Sequence, residues 1–216
     1  MIILFVKAPV YGTVKTRLAK DLDDEKALRL YKAFILDVLQ LVKETKEPFK
    51  IFFTPKAERP LLVDFLGKDY DYYHQEGKDL GERMANAFET IFNRGSERAL
   101  LIGSDTVDIT KEDILSSLAV LDKNDVVLGP ASDGGFYLIG FRKRAFNTKY
   151  FCNIRWSSDA TLRDFVKNLE DIEKIFYLPE KSDIDNLSDL RNFYIKNRER
   201  LANSKTIRVI DELKIF

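Results

Sequence analysis

Ile2-Ile3-Leu4-Phe5-Val6 runs directly into Lys7-Ala8-Pro9-Val10-Tyr11-Gly12-Thr13-Val14-Lys15-Thr16-Arg17, and this junction decides the fold. Five consecutive apolar residues with no polar alternation make a strand covered on both faces, and Pro9 and Gly12 end it. Strands buried on both sides belong to mostly parallel sheets sandwiched between helices. In such sheets ligands sit beyond the carboxyl ends of the strands, where this loop presents Lys7, Lys15 and Arg17. Gly12 lets the backbone turn so that amides and cations close on a phosphate. A helix starting near Thr16 would add free amides to that anion site.

The pattern repeats outward. Leu28, Tyr31, Ile35, Val38, Leu39 and Val42 recur at spacings of three and four and predict a helix over 24–44. Strands are expected over 49–54, 70–74, 99–102, 125–128, 136–141 and 173–178. Helices are expected over 58–66, 80–92 and 187–201. Thr110 and Asp113 resemble a capping box opening a helix over 111–121. Ser157 or Ser158 is expected to cap a helix reaching about Leu169, and Asn186 or Ser188 the one at 187. The tail from Ser204 fits strand and helix equally. The expected fold is α/β with a mostly parallel sheet, in one domain over 1–216.

Composition narrows the function. Lys plus Arg (35) balances Asp plus Glu (35), without the basic excess of a nucleic-acid binder. Met1–Val6 is too short for a signal peptide and nothing approaches a membrane span, so a cytoplasmic protein with no membrane partner is expected. Cys152 is the only cysteine and His74 the only histidine, which excludes a multi-cysteine zinc site. His74 lies among Tyr70, Tyr72 and Tyr73 and reads as a strand residue rather than a catalytic base. Val14 stands where a P-loop needs its second glycine, and no Gly-x-Gly-x-x-Gly is present, so a P-loop kinase and a dinucleotide dehydrogenase are disfavoured.

Acidic residues gather after strands. Asp105 follows Gly103-Ser104, and Thr110 already supplies the next helix cap. Asp183 and Asp185 precede the last helix in surplus to its cap. Carboxylates about 4 Å apart repel by about 4 kcal/mol at an effective dielectric near 20, a cost that a divalent cation removes. Mg²⁺ held by one or two carboxylates, waters and phosphate oxygens suits this set. Asp133-Gly134-Gly135, with Tyr137 beyond it, lets a substrate approach the backbone. Gln75, Gly81 and Arg83 belong to a loop that opens a helix, and Trp156 is equally a core anchor or a stacking platform.

Six segments, KAPxxGxxKTRLA, QxGxDLGERM, GSD, GPxxDGGFYLIG, IRWSS and DIDNxxDL, occur in that order from Lys7 to Leu190. Together they resemble the cofactor-guanylyltransferase-like branch of the glycosyltransferase A superfamily, whose members are labelled radical-SAM/selenodomain-associated transferases or a domain of unknown function. The first segment is also similar to that of phospholactate guanylyltransferases. The resemblance implies a Rossmann-like nucleotide-diphospho-sugar transferase α/β/α sandwich. It implies Mg²⁺ or Mn²⁺ on Asp105 and Asp185, with Asp183 assisting, and a phosphate loop of Lys7, Pro9, Gly12, Lys15 and Arg17. Gln75, Gly81, Arg83, Ser104, Asp133, Gly134, Gly135, Tyr137 and Trp156 become candidate substrate contacts, and Lys15, Arg17, Asp105 and Asp185 the candidate catalytic set. One departure is Val107, where the family often has proline two residues after the aspartate.

The expected activity is nucleotidyl transfer from a nucleoside triphosphate to a small phosphorylated acceptor, with pyrophosphate released. An anionic acceptor needs no strong base, in keeping with a single histidine. Glycosyl transfer from a nucleotide-sugar is the alternative, and a non-catalytic nucleotide-binding module is the reading of another class. The base, the acceptor and the oligomeric state, a homodimer included, stay open.

Overall fold

The computed structural model describes residues 1–216. Seven strands form one sheet: β1 (Ile2–Lys7), β2 (Phe49–Thr54), β3 (Tyr72–His74), β4 (Arg98–Gly103), β5 (Val126–Pro130), β6 (Phe136–Arg142) and β7 (Ile175–Tyr177). Their spatial order is β3-β2-β1-β4-β6-β5-β7. β1 lies parallel to β2 and β4, β2 to β3, and β5 to β7, while β6 runs antiparallel to both its neighbours. The sheet is therefore mostly parallel, as the unalternated apolar strands predict.

Side chains of successive strand residues point to opposite faces and so feed two cores. Ile2, Leu4 and Val6 enter one core with α2 (Asp24–Glu44), α5 (Lys111–Val120), α7 (Leu187–Asn197) and α8 (Lys205–Glu212). Ile3 and Phe5 enter the other with α4 (Leu80–Asn93) and α6 (Thr161–Asn168). The result is the expected α/β/α sandwich. The remaining α-helices are α1 (Thr16–Leu22) and α3 (Arg59–Leu66). Val107, the departure from the family proline, is 9% exposed and belongs to the first core, so its apolar bulk is used in packing.

The chain leaves β1 toward β2 on one side and later returns to β4 on the other. Loops leaving these two neighbours diverge, which opens a crevice at their carboxyl ends. Lys7 and Ser104-Asp105 sit at that point.

Local signals placed most helix starts. Thr110 and Asp113 form the capping box of α5, and Asn186, not Ser188, caps α7 in a box with Asp189. The start of α6 differs from expectation: its N-cap is Ala160, without a side-chain bond. Ser158 Oγ instead donates to the Arg155 carbonyl at 2.7 Å and accepts from the Ala160 amide, shaping the turn ahead of the helix. The Leu162 amide is satisfied by the Gly134 carbonyl of a neighbouring loop at 2.8 Å, so no serine cap is needed. The ambiguous tail is helical: Ser204 caps α8, and the Asp37 carboxylate accepts from the amides of Lys205 and Thr206 at 2.8 Å each.

Candidate active site

The site is built from the end of β1 outward. Tyr31 on α2 donates its hydroxyl proton to the Lys7 carbonyl at 3.0 Å and accepts from the Lys7 amide at 3.1 Å. With that proton committed, Ser104 Oγ, 3.2 Å away, donates to the same oxygen. Burial, and then the charge of Asp105, raise the Tyr31 pKa far above that of a free phenol, so Tyr31 stays neutral. One hydroxyl thus joins the ends of β1 and β4.

Beyond Lys7 the loop folds back, with Lys7 Nζ donating to the Thr13 carbonyl at 2.6 Å. Gly12 (φ 70°) and Lys15 (φ 46°) both adopt the left-handed conformation. At Lys15, a non-glycine residue, this is sterically costly, and it aims the side chain into the crevice. Lys15 Nζ lies 3.3 Å from Asp105 Oδ1 and 3.5 Å from Asp185 Oδ1, and its side chain is 6% exposed. Arg17 Nη1 reaches the other oxygen of Asp185 at 3.2 Å. Burial pulls the Lys15 pKa down, but the combined charge of Asp105, Asp185 and Asp183 outweighs it and raises the pKa, so the ammonium is kept.

Asp183 is half-buried beside the other two acids. Desolvation first, with help from the charge of Asp105, pushes its pKa up to about 6, against the opposing Thr106 hydrogen bond (2.7 Å) and Lys15. Asp105 Oδ1 is buried and accepts no hydrogen bond; the Lys15 contact is an ion pair outside hydrogen-bond geometry.

The expected set of three aspartates is not a ready-made ligand cluster, and no three His, Cys, Asp or Glu side chains converge as one. The reason is physical: Lys15 stands between Asp105 and Asp185, and Thr106 occupies Oδ1 of Asp183. Asp105 and Asp185 do share one ammonium and offer hard oxygens, one of them unfilled. That pair fits Mg²⁺ or Mn²⁺ completed by phosphate oxygens and water.

The cleft above this floor encloses about 740 Å³. Its near wall is the β1–α1 loop with Lys7, Lys15 and Arg17, and its far wall carries Asp133, Gly135, Phe136, Trp156 and Asp159. A side recess of about 290 Å³, lined by Phe5, Gln75, Met84, Ser104 and Tyr137 among others, opens beside it. Leu80, Phe136, Lys7, Asp105 and Asp183 border both.

Residues 36–158 match the model of a family described as "Uncharacterized protein conserved in bacteria (DUF2064)". The chain belongs to that family. A solved protein of Desulfovibrio desulfuricans, described as a candidate nucleotide-diphospho-sugar transferase, is 35% identical, with a TM-score of 0.94 over 98% of this chain and 93% of that one. A Methanothermobacter nucleotidyl transferase shares the fold at 14% identity and TM-score 0.60, over 94% of this chain and 98% of that one. A Mycobacterium tuberculosis protein solved as a complex with manganese does so at 15% identity and TM-score 0.56, over 88% and 96%. No curated protein matches the chain. The DUF2064 chain described here therefore has the fold of the nucleotidyl and nucleotide-sugar transferases.

Several expected contacts have structural employment in this DUF2064 member. Gln75 is 5% exposed and donates Nε2 to the Phe52 carbonyl at 2.8 Å. Tyr137 is 4% exposed and donates to the Pro179 carbonyl at 3.1 Å, and Ser104 serves Tyr31, so all three reach only the side recess. Arg83 lines neither space; its Nε donates to the Gly77 carbonyl at 3.2 Å. Pro9, Gly12, Gly81 and Gly134 shape backbone without lining the cleft. A Cβ on Gly81 would come within 2.6 Å of the Trp156 indole, so this glycine seats Trp156. His74 is an edge-strand residue against Phe53, its pKa lowered by burial first and Lys56 next.

Sequence reading passed over Tyr31, Leu80, Phe136 and Asp159. Asp159 follows the IRWSS segment directly. Tyr31 carried no local signal, since on the helix it reads as one more apolar-face residue.

Proposed function

We propose that the protein is a metal-dependent transferase that binds a nucleotide donor with its polyphosphate between the β1–α1 loop and the aspartates at the floor. The observation that carries this reading is the ammonium of Lys15 paired with both Asp105 and Asp185 at the crevice between β1 and β4. That arrangement sets a fixed cation and two hard carboxylates where charge develops on a leaving phosphate. Lys7 and Arg17 extend the positive wall along the phosphate chain. Mg²⁺ or Mn²⁺ held by Asp105 and Asp185 would neutralise phosphate oxygens and activate the leaving group.

The leading reaction is nucleotidyl transfer: an acceptor atom bonds to the α-phosphorus of a nucleoside triphosphate and pyrophosphate leaves. Three cations on one loop favour a triphosphate over a diphosphate. Asp105→Asn is expected to lower kcat by about 10²–10³, the usual loss for one electrostatic stabiliser, with the fold retained. The similarity at 35% identity to a candidate nucleotide-diphospho-sugar transferase favours a second reading, glycosyl transfer from a nucleotide-sugar.

Product analysis with Mg²⁺ separates the two. Pyrophosphate release from a triphosphate supports nucleotidyl transfer, and nucleoside diphosphate release from a nucleotide-sugar supports the second reading. The proposal as a whole fails if no nucleotide or nucleotide-sugar raises the melting temperature in a Mg²⁺-dependent way, since a ligand of the native state must do so.

A further inference from the structure

The two walls of the cleft carry opposite charge. Its lysines and arginine (Lys7, Lys15 and Arg17) all stand on the near wall. The far wall contributes Asp133 and Asp159, together with serine and threonine hydroxyls, and no basic side chain. Arg155, next to Trp156 in the chain, is committed elsewhere: it grips Asp164 through two nitrogens at 2.7 and 2.8 Å.

The acidic wall is held rigidly. Asp133 Oδ1 accepts from the Gly135 amide at 2.8 Å, which leaves Oδ2 free. Gly134, at φ 88°, lies so close to the next segment that a Cβ there would fall 2.3 Å from the Asp159 carbonyl. The Leu162 amide bonds to the Gly134 carbonyl, so the two acid-bearing segments are joined directly. In the same wall Phe136 and Trp156 meet edge to face at 6.3 Å, and Leu80, 40% exposed, also lines the cleft. The wall thus combines apolar rings with two carboxylates, a surface suited to the carbon face and hydroxyl edge of a ring or polyol.

We propose that the acceptor is a hydroxylated molecule without a phosphate, of the polyol or amino-sugar class, lying against Trp156 with its polar edge toward Asp133 and Asp159. The inference rests on the nucleotide-donor reading above, because the donor occupies the near-wall cations. It replaces the phosphorylated acceptor expected from sequence: a second phosphate would find those cations taken and two carboxylates facing it. Such like-charge opposition is how sites reject a wrong partner. In the transfer, the acceptor oxygen bonds to the donor's electrophilic atom. The bond from that atom to the leaving phosphate oxygen breaks, and its electron pair goes to the leaving group. The hydroxyl proton passes to Asp133 Oδ2. A hydroxyl needs such a base where an anionic phosphate does not.

The test uses matched acceptors, glucosamine against glucosamine 6-phosphate and glycerol against glycerol 3-phosphate, on the full chain with Mg²⁺ and the nucleotide that stabilises it. Trp156 is the only tryptophan and lines the cleft, so its fluorescence reads acceptor binding directly. Expected is a preference of about tenfold or more for the unphosphorylated member, in kcat/KM or in Trp156 titration, a gap of the size one repelled charge produces. In a D133N/D159N double variant that still shows the nucleotide-dependent melting shift, turnover is lost with the base, and the preference read by Trp156 titration alone should fall to about threefold or less. Tighter binding or faster turnover of the phosphorylated members overturns the proposal, as does binding of neither. Loss of the nucleotide shift before any acceptor is added overturns the donor reading instead, and the two failures are thereby told apart.

Discussion

Lys15 Nζ sits 3.3 Å from Asp105 Oδ1, in a side chain almost wholly withdrawn from solvent while the aspartate is 47% exposed. The lysine is the buried partner and the acid the open one. The ammonium thus supplies the counter-charge that, under the proposed reading, a divalent cation would supply.

Replacing that ammonium should separate metal binding from catalysis. Lys15→Met removes the competitor between Asp105 and Asp185, so calorimetric titration with Mn²⁺ alone should show affinity raised about tenfold, the equivalent of removing roughly 1.4 kcal/mol of competition. Turnover should fall about 10²–10³ because a charge stabiliser of the transferred phosphate is lost. Unchanged Mn²⁺ affinity would mean that Lys15 and the metal do not compete.

Asp183 predicts a pH dependence of stability. Its folded pKa, about 6, lies above the ordinary 3.8 because burial penalises the charge. Between roughly pH 4 and 6 the native state therefore binds more protons than the unfolded one, and this group makes stability fall as pH rises. Across the window the loss is about 2–3 kcal/mol at 1.4 kcal/mol per unit. Melting curves in EDTA should show this slope in the wild type and lose most of it in Asp183→Asn, which should be the more stable protein at pH 7.5. An identical slope in both proteins would assign the titration elsewhere.

Gly81→Ala tests the seat of Trp156. Alanine in place of glycine favours a helix by about 1 kcal/mol, so the global effect should stay small. The new Cβ would approach the indole to 2.6 Å and must move it. A shifted tryptophan emission maximum, weaker acceptor binding and a melting temperature within a few degrees of wild type are expected. A variant with native emission would show that the indole has room to spare.

Gly134→Ala should behave differently. Its φ of 88° strains any side chain, and the Cβ would strike the Asp159 backbone rather than a movable tip. A loss of about 1–3 kcal/mol in denaturant unfolding is expected, with early loosening of the 157–160 segment in hydrogen exchange. Wild-type stability in this variant would mean that the far wall is not locked.

The strands were legible because each is a local statement. Ile2–Val6 and Ala99–Ile102 declare burial on both faces without reference to any other segment. Asp105 and Asp185 were legible as surplus acids because a better cap stood beside each. Their pairing with Lys15 was not, since Asp185 lies 170 residues away from it. The same limit hid α8, whose second cap, Asp37, is 168 residues upstream of Lys205. Gln75, Tyr137 and Arg83 were candidate ligand contacts through the loops and family segments they belong to. Gln75 and Tyr137 are spent on backbone carbonyls 23 and 42 residues away that only the folded chain brings near, and Arg83 on the Gly77 carbonyl of its own loop.

The Tyr31 hydroxyl reaches both strand ends at the crevice, one through the Lys7 backbone and the other through the Ser104 side chain. The ends of β1 and β4 are consequently tied to a common helix. The opposite jaw, residues 131–161, has no such tie to that helix, so any widening of the cleft is expected there and would carry the proposed acceptor contacts with it.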